Sequence, residues 1–140
     1  MTYGFSTCDR LQAAHSLEGI LDAAYTVFEE MLTVVRAHQD PDDAMFVPFV
    51  MAATCAASGR DAILFAPSLP PHPRQAATVR EYRPGTAMTA ARELSGLCQI
   101  LETKLTEAAS YASGQRDRSA CLDAAAQARE LRDYLSGSAP

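Results

Sequence analysis

Residues 45–66 read MFVPFVMAATCAASGRDAILFA and carry only two charged side chains, Arg60 and Asp61. This pattern predicts a helix without a polar face, and a helix of that kind is expected to be buried on every side. Small residues fill positions 52–59, so neighbouring helices are expected to come close to it. We therefore interpret this stretch as the central element of a helical bundle.

Apolar residues recur every three or four positions in three further segments, which is typical of amphipathic helices. Together with the stretch above, they predict helices over 8–38, 44–66, 87–113 and 118–135. Thr86 is the expected cap of the third helix and Gly137 the expected end of the fourth. The sequence thus predicts an all-α, four-helix bundle in which residues 1–140 form a single domain.

Two features interrupt the second predicted helix. Pro48 either lies in the first turn of a helix that starts near Val47, or bends a longer helix. Arg60 and Asp61 must be paired if they are buried. Because of these interruptions the uninterrupted apolar run is shorter than the roughly 20 residues that a membrane span needs, so we expect no membrane insertion.

Composition excludes some classes of function. The net charge of −5 argues against general nucleic-acid binding, which depends on Lys and Arg. The four cysteines show no C-x-x-C spacing, so we expect neither a metal site nor another cofactor, and we place the protein in a reducing cytoplasm. Cys55 and Cys98 are expected to act as small core residues. Eleven arginines against one lysine suggest a bacterial source.

Residues 67–86 form a long, Pro-rich connection between the second and third helices. Its prolines disfavour a helix, and its three arginines against one glutamate make it the basic part of the chain. Arginine and tyrosine are also enriched in protein interfaces. The candidate partner-binding residues are His72, Arg74, Arg80, Tyr82 and Arg83. The alternative is a passive connector that packs against the end of the bundle.

Large apolar residues of the second helix suggest a different role. An apolar pocket in the core of a bundle can hold a small molecule. The candidate lining residues are Phe46, Phe49, Met51 and Phe65. Ordinary core packing is the simpler explanation of the same residues.

The stretch Arg10-Leu-Gln-Ala-Ala-His15 has the R-x4-H spacing that resembles the motif of HEPN ribonucleases, which are helical bundles and often dimers. The resemblance covers six residues and implies that Arg10 and His15 act on an RNA phosphate across a dimer interface. In this chain the motif opens the first predicted helix, and Leu11 takes a place where the family usually has a polar residue.

Taken together, these patterns favour a non-enzymatic cytoplasmic protein that mediates protein–protein interaction or regulation. The wide apolar stripe of the first predicted helix is broad enough to be shared with a second subunit, so we expect a homodimer. A small-molecule-binding bundle is the alternative function, and a HEPN-like ribonuclease is the second alternative.

Overall fold

The computed structural model describes residues 6–71 and 86–137. These residues form five helices: α1 (Ser6–Ala13), α2 (Leu17–Ala37), α3 (Phe46–Leu64), α4 (Ala87–Tyr111) and α5 (Gln115–Ser136). The all-α class is therefore confirmed for the part of the chain that is described. Helices α2 to α5 pack side by side, and the short α1 packs against α2 and α4.

The single helix predicted over 8–38 is divided into α1 and α2. Ser16 has an extended backbone, and its hydroxyl accepts a hydrogen bond from the Gly19 N–H at 3.1 Å, which is a typical helix N-cap. Arg10 forms an ion pair with Asp22 at 3.2 Å, although twelve residues of continuous helix would separate them by about 18 Å. The apolar pattern ran across the break because Leu11 of α1 is buried in the same core as α2.

The start of α3 agrees with the first alternative for Pro48, which lies in the first turn of a helix that begins at Phe46. The missing N–H of a proline does no harm there, because first-turn N–H groups have no partner within the helix. Just before the helix, the carboxylate of Asp43 accepts a hydrogen bond from the Met45 N–H at 2.7 Å. An acidic residue at this point also suits the positive end of the helix dipole.

The ends of the last two helices follow local signals. The Thr86 hydroxyl accepts from the Thr89 N–H at 3.1 Å, so Thr86 caps α4 as expected. Helix α4 stops at Tyr111, two residues before the predicted end, and Gly114 is the N-cap residue of α5, which begins three residues earlier than predicted. Gly137 ends α5 in the left-handed conformation with φ of 75°, which glycine adopts without steric cost.

Contacts at the helix ends fix the directions of α2, α3 and α5. The His38 ring, directly after α2, stacks on Phe49 in the first turns of α3 with a centroid distance of 5.3 Å. Ser68, just after α3, forms hydrogen bonds with Asp117 in the first turn of α5. Helix α3 therefore lies between α2 and α5 and runs antiparallel to both.

Helix α4 closes the arrangement opposite α3. It packs on α5 and α2, and His15 before α2 lies 3.7 Å from Glu107 near the end of α4. Helix α4 therefore runs antiparallel to α2, so Leu64 at the end of α3 and Ala87 at the start of α4 lie at opposite ends of the bundle.

Close packing of α2 on α3 explains the small residues of α3. A Cβ atom built on Gly59 would lie 2.4 Å from the Phe28 ring, which is closer than real atoms approach. Phe28 and Phe49 are completely buried, as are Ala52 and Ala56. The prediction that small side chains allow close helix approach is confirmed at this contact.

The prediction that α3 is buried on every side is wrong. Val47 and Leu64 retain 63% and 51% of their exposed area, and Phe65 retains 72%. Helix α3 forms one side of the bundle, packed on α2 and α5. Its outward face therefore meets solvent although it has almost no charge.

Candidate interaction surface and ligand groove

The outward face of α3 is a continuous stripe of six residues at alternating spacings of three and four. We call it the outer stripe of α3: Val47, Val50, Thr54, Ala57, Asp61 and Leu64. Four of these residues are exposed and two are half-buried. Large apolar side chains lie at both ends of the stripe. The small side chains of Thr54 and Ala57 form a shallow depression in its middle.

The one charge in the outer stripe is held by its own chain. Arg60 donates from Nε to the Asp61 carboxylate at 3.2 Å and from a terminal guanidinium nitrogen to Glu29 of α2 at 3.4 Å. Arg60 and Asp61 are therefore paired, although neither is fully buried: their side chains are 25% and 56% exposed. The pair lowers the cost of placing a partner's apolar surface nearby, since Asp61 already has a counter-charge.

Two adjoining hollows follow the line where α3 meets α5, with volumes of about 280 and about 430 Å³. Both are lined by Ala62, Phe65 and Asp123. The exposed Phe65 ring forms part of both walls, beside the end of the outer stripe. This end of α3 therefore combines an exposed aromatic ring with concave surface.

The four residues predicted to line an apolar pocket do not come together. Phe49 is wholly buried and stacked on His38, whereas Phe65 is exposed beyond the opposite end of α3. Sixteen residues of helix separate the two, which corresponds to about 24 Å. Phe46 and Met51 are half-buried near the Phe49 end. The structure thus divides the predicted set between the two ends of α3.

The predicted partner-binding residues His72, Arg74, Arg80, Tyr82 and Arg83 lie outside the described residues. The chain just before them is anchored: Asp117 accepts from the Ser68 backbone N–H at 3.0 Å and from its hydroxyl at 2.6 Å. Asp117 is buried, and these bonds compensate for the loss of water around its carboxylate. The start of the connection is therefore fixed to the first turn of α5.

Arg10 lies in α1 and His15 lies in the break between α1 and α2, so the two do not share one helix. Arg10 is paired with Asp22, and the exposed His15 lies 3.7 Å from Glu107 of α4. Both side chains are thus engaged with carboxylates of the same chain. The HEPN-like spacing is present in the sequence, but the structure does not present it as one helical face.

A third hollow, of about 350 Å³, lies between α1 and α4, and we call it the α1–α4 groove. Its lining residues are Gln12, Gly96, Gln99, Ile100, Thr103 and Lys104. The Lys104 side chain is only 9% exposed, and its Nζ lies 3.6 Å from a Glu107 oxygen. Sequence reasoning missed this site, although Lys104 is the only lysine and stands three residues after the core position Leu101.

Glu107 links this groove to the junction of α1 and α2. The Tyr111 hydroxyl donates to it at 2.9 Å, and that hydrogen bond, together with the charges of Lys104 and His15, lowers the pKa of the Glu107 carboxyl. One carboxylate therefore serves three neighbours. Lys104 shares its counter-ion with two other groups.

Three of the four cysteines belong to the core. Burial raises the pKa of the Cys55 and Cys121 thiols to about 11, aided by the carboxylates of Glu130 and Asp117 respectively. Burial also raises the pKa of Cys98, whose sulfur lies 3.8 Å from that of Met31. A thiolate is the reactive form of cysteine, so these three side chains are unreactive at neutral pH and act as small apolar residues, as predicted for Cys55 and Cys98.

No family model, curated protein or solved structure matches this chain. Within residues 6–71 and 86–137, no helix combines the length and apolarity that crossing a membrane requires. Nor do three His, Cys, Asp or Glu side chains in those ranges converge as metal ligands would.

Proposed function

We propose that this protein is a non-enzymatic interaction or regulatory protein of the bacterial cytoplasm, and that it acts as a homodimer through the outer stripe of α3. One observation carries the proposal: a nearly uncharged helix face, 63% exposed at Val47 and 51% at Leu64, lies open on the side of the bundle. Exposed apolar patches of this kind typically mark interaction sites.

The stripe suits a second copy of itself. In an antiparallel pairing about a two-fold axis between Thr54 and Ala57, Val47 of each copy faces Leu64 of the other. The small residues Thr54 and Ala57 then meet at the centre and allow the helices to approach. A surface that complements itself in this way is what a two-fold dimer requires.

Charge favours the same face. Two copies that each carry −5 repel one another, and a contact through charged helices would bring like charges together. Helix α3 carries only Arg60 and Asp61, which are paired within one chain. The outer stripe therefore permits contact at a low electrostatic cost.

The size of the stripe sets the expected strength of the dimer. A helix of 19 residues is about 28 Å long and about 10 Å wide, which gives a footprint of about 300 Å² per copy. A standard stable interface buries about 800 Å² per partner. We therefore expect a weak dimer in the micromolar range, to which Phe65 and the flanks of α2 and α5 contribute.

Sedimentation velocity from about 1 μM to about 1 mM tests the proposal. The wild type should pass from monomer to dimer, and Leu64→Glu should weaken the dimer at least about tenfold, because it buries an unpaired carboxylate in the contact. The matched control is Leu122→Glu on α5, since Leu122 is 46% exposed and Leu64 51%. A monomer at all concentrations, or equal effects of both variants, would refute the proposal.

The contact of residues 67–86 with a further partner stays a prediction of its own. It is tested by Arg80→Ala combined with Arg83→Ala, which should weaken capture of a partner while leaving helix content unchanged. Dimerisation through α3 should be unaffected by this double substitution. The two proposed contacts can therefore be separated.

A further inference from the structure

We infer that the α1–α4 groove binds the oxyanion head group of a small organic acid, with Lys104 as the counter-charge. The ammonium group has three donors. Among the described residues its one ionic contact is Glu107 at 3.6 Å, while its side chain is only 9% exposed. A buried ammonium with so little compensation is costly, and an oxyanion in the groove would supply the missing acceptors.

Two amide side chains beside Lys104 add neutral donors. The Gln12 oxygen accepts from the Cys8 thiol at 3.9 Å, which leaves the NH2 group of Gln12 available to a ligand. Gln99 stands on the same wall of the groove. A carboxylate accepts hydrogen bonds from an ammonium and from amide N–H groups, and the bond to the charged ammonium is the stronger.

The remaining lining accommodates an apolar body. Ile100 is half-buried in the wall, and nothing lies within 4 Å of a Cβ atom built on Gly96. The groove volume of about 350 Å³ lies at the lower end of the range of small-molecule sites. These features favour a compact acid with a carboxylate head and an apolar ring or chain.

Glu107 limits the affinity of this groove. Its negative charge opposes an incoming anion, and it competes for the Lys104 ammonium. The other carboxylate oxygen of Glu107 accepts a hydrogen bond from the Tyr111 hydroxyl and lies near His15. These contacts partly offset the negative charge that Glu107 presents to a ligand. Removing that charge in Glu107→Gln should therefore tighten anion binding several-fold, contrary to the effect of changing Lys104.

The test uses sodium benzoate as the probe and benzamide as its uncharged analogue, at constant ionic strength. Binding is followed by NMR through the backbone amide signals of Gly96 and Thr103. Benzoate should give saturable shifts and bind at least about tenfold more tightly than benzamide, as expected for hydrogen bonds to a charged group. Equal binding of the two probes, or no saturable shift with benzoate, would overturn the inference.

Two variants locate the site. Lys104→Met keeps the length of the side chain without its charge and should weaken benzoate binding at least about tenfold. Gly96→Leu keeps Lys104 but fills the open space, so it should abolish binding and keeps the test decisive if the Lys104 variant does not fold. Unchanged benzoate binding in either folded variant would overturn the assignment.

Discussion

Helices α3 and α5 pack against each other, but their solvent-facing sides differ in charge. Helix α5 has 22 residues with eight charged side chains, whereas α3 has 19 residues with two. Both bury alanine and cysteine inward. The inward faces show that the two helices share a core, and the outward faces show that only α5 is composed for permanent contact with water. This difference is the basis of the proposed contact through α3.

The largest effect should separate the inner and outer aromatic residues of α3. Phe49→Ala should lower the free energy of unfolding by about 3–5 kcal/mol, because it leaves a cavity in the core. Phe65→Ala, at a position that is 72% exposed, should change it by less than about 0.5 kcal/mol. Urea denaturation of dilute protein measures both. Similar losses would mean that the outer end of α3 is buried within the monomer.

A pair of glycines provides the next test. Gly59→Ala must displace the Phe28 ring, so after the gain in helix propensity it should still cost about 1–2 kcal/mol. Gly96→Ala on α4 meets open space and should stabilise the protein by about 0.5–1 kcal/mol. Thermal unfolding distinguishes the signs, and stabilisation by both substitutions would show that α3 does not approach α2 so closely.

The buried faces of the helices could be predicted from the sequence better than the exposed face of α3. Helical periodicity located α2, α4 and α5, the uncharged apolar run located α3, and the caps at Thr86 and Gly137 came from local chemistry. The apolar composition of α3 showed that the helix favours burial. The composition of α3 could not show which of its faces the other helices of the chain cover, because the topology of the chain decides which helix has a face on the surface of the bundle.

Two further misses have local causes. The break at Ser16 was hidden because α1 and α2 both contribute to one core, so the apolar spacing continues while the backbone turns. The groove at Lys104 depends on where α1 folds back onto α4, which no short-range pattern contains. Its only trace in the sequence is a single lysine next to core positions of α4.

Introducing opposite charges at two positions of the outer stripe tests the proposed register of the dimer. Val47→Lys and Leu64→Glu should each weaken self-association, by about tenfold or more. Mixing the two variants should recover dimer, because the ammonium introduced in one chain would then face the carboxylate introduced in the other. Sedimentation of the mixture measures this recovery. A parallel pairing would place each changed residue near its own counterpart position, far from the opposite charge, and mixing would then restore nothing.

The smallest effect concerns pH and the inward faces that α3 and α5 have in common. The pKa of Cys55 and of Cys121 is raised from 9.0 to about 11 in the folded protein, so between these values the folded state holds thiol protons that the unfolded chain releases. The contribution of these two thiols to the free energy of unfolding is therefore complete below pH 9, and it is lost as the pH rises toward 11. Replacing either cysteine by alanine should flatten this fall relative to pH 7. Urea midpoints at pH 7 and 10 measure the change. The two variants should behave alike, because α3 and α5 differ in their solvent-exposed faces, whereas both bury a cysteine in the core.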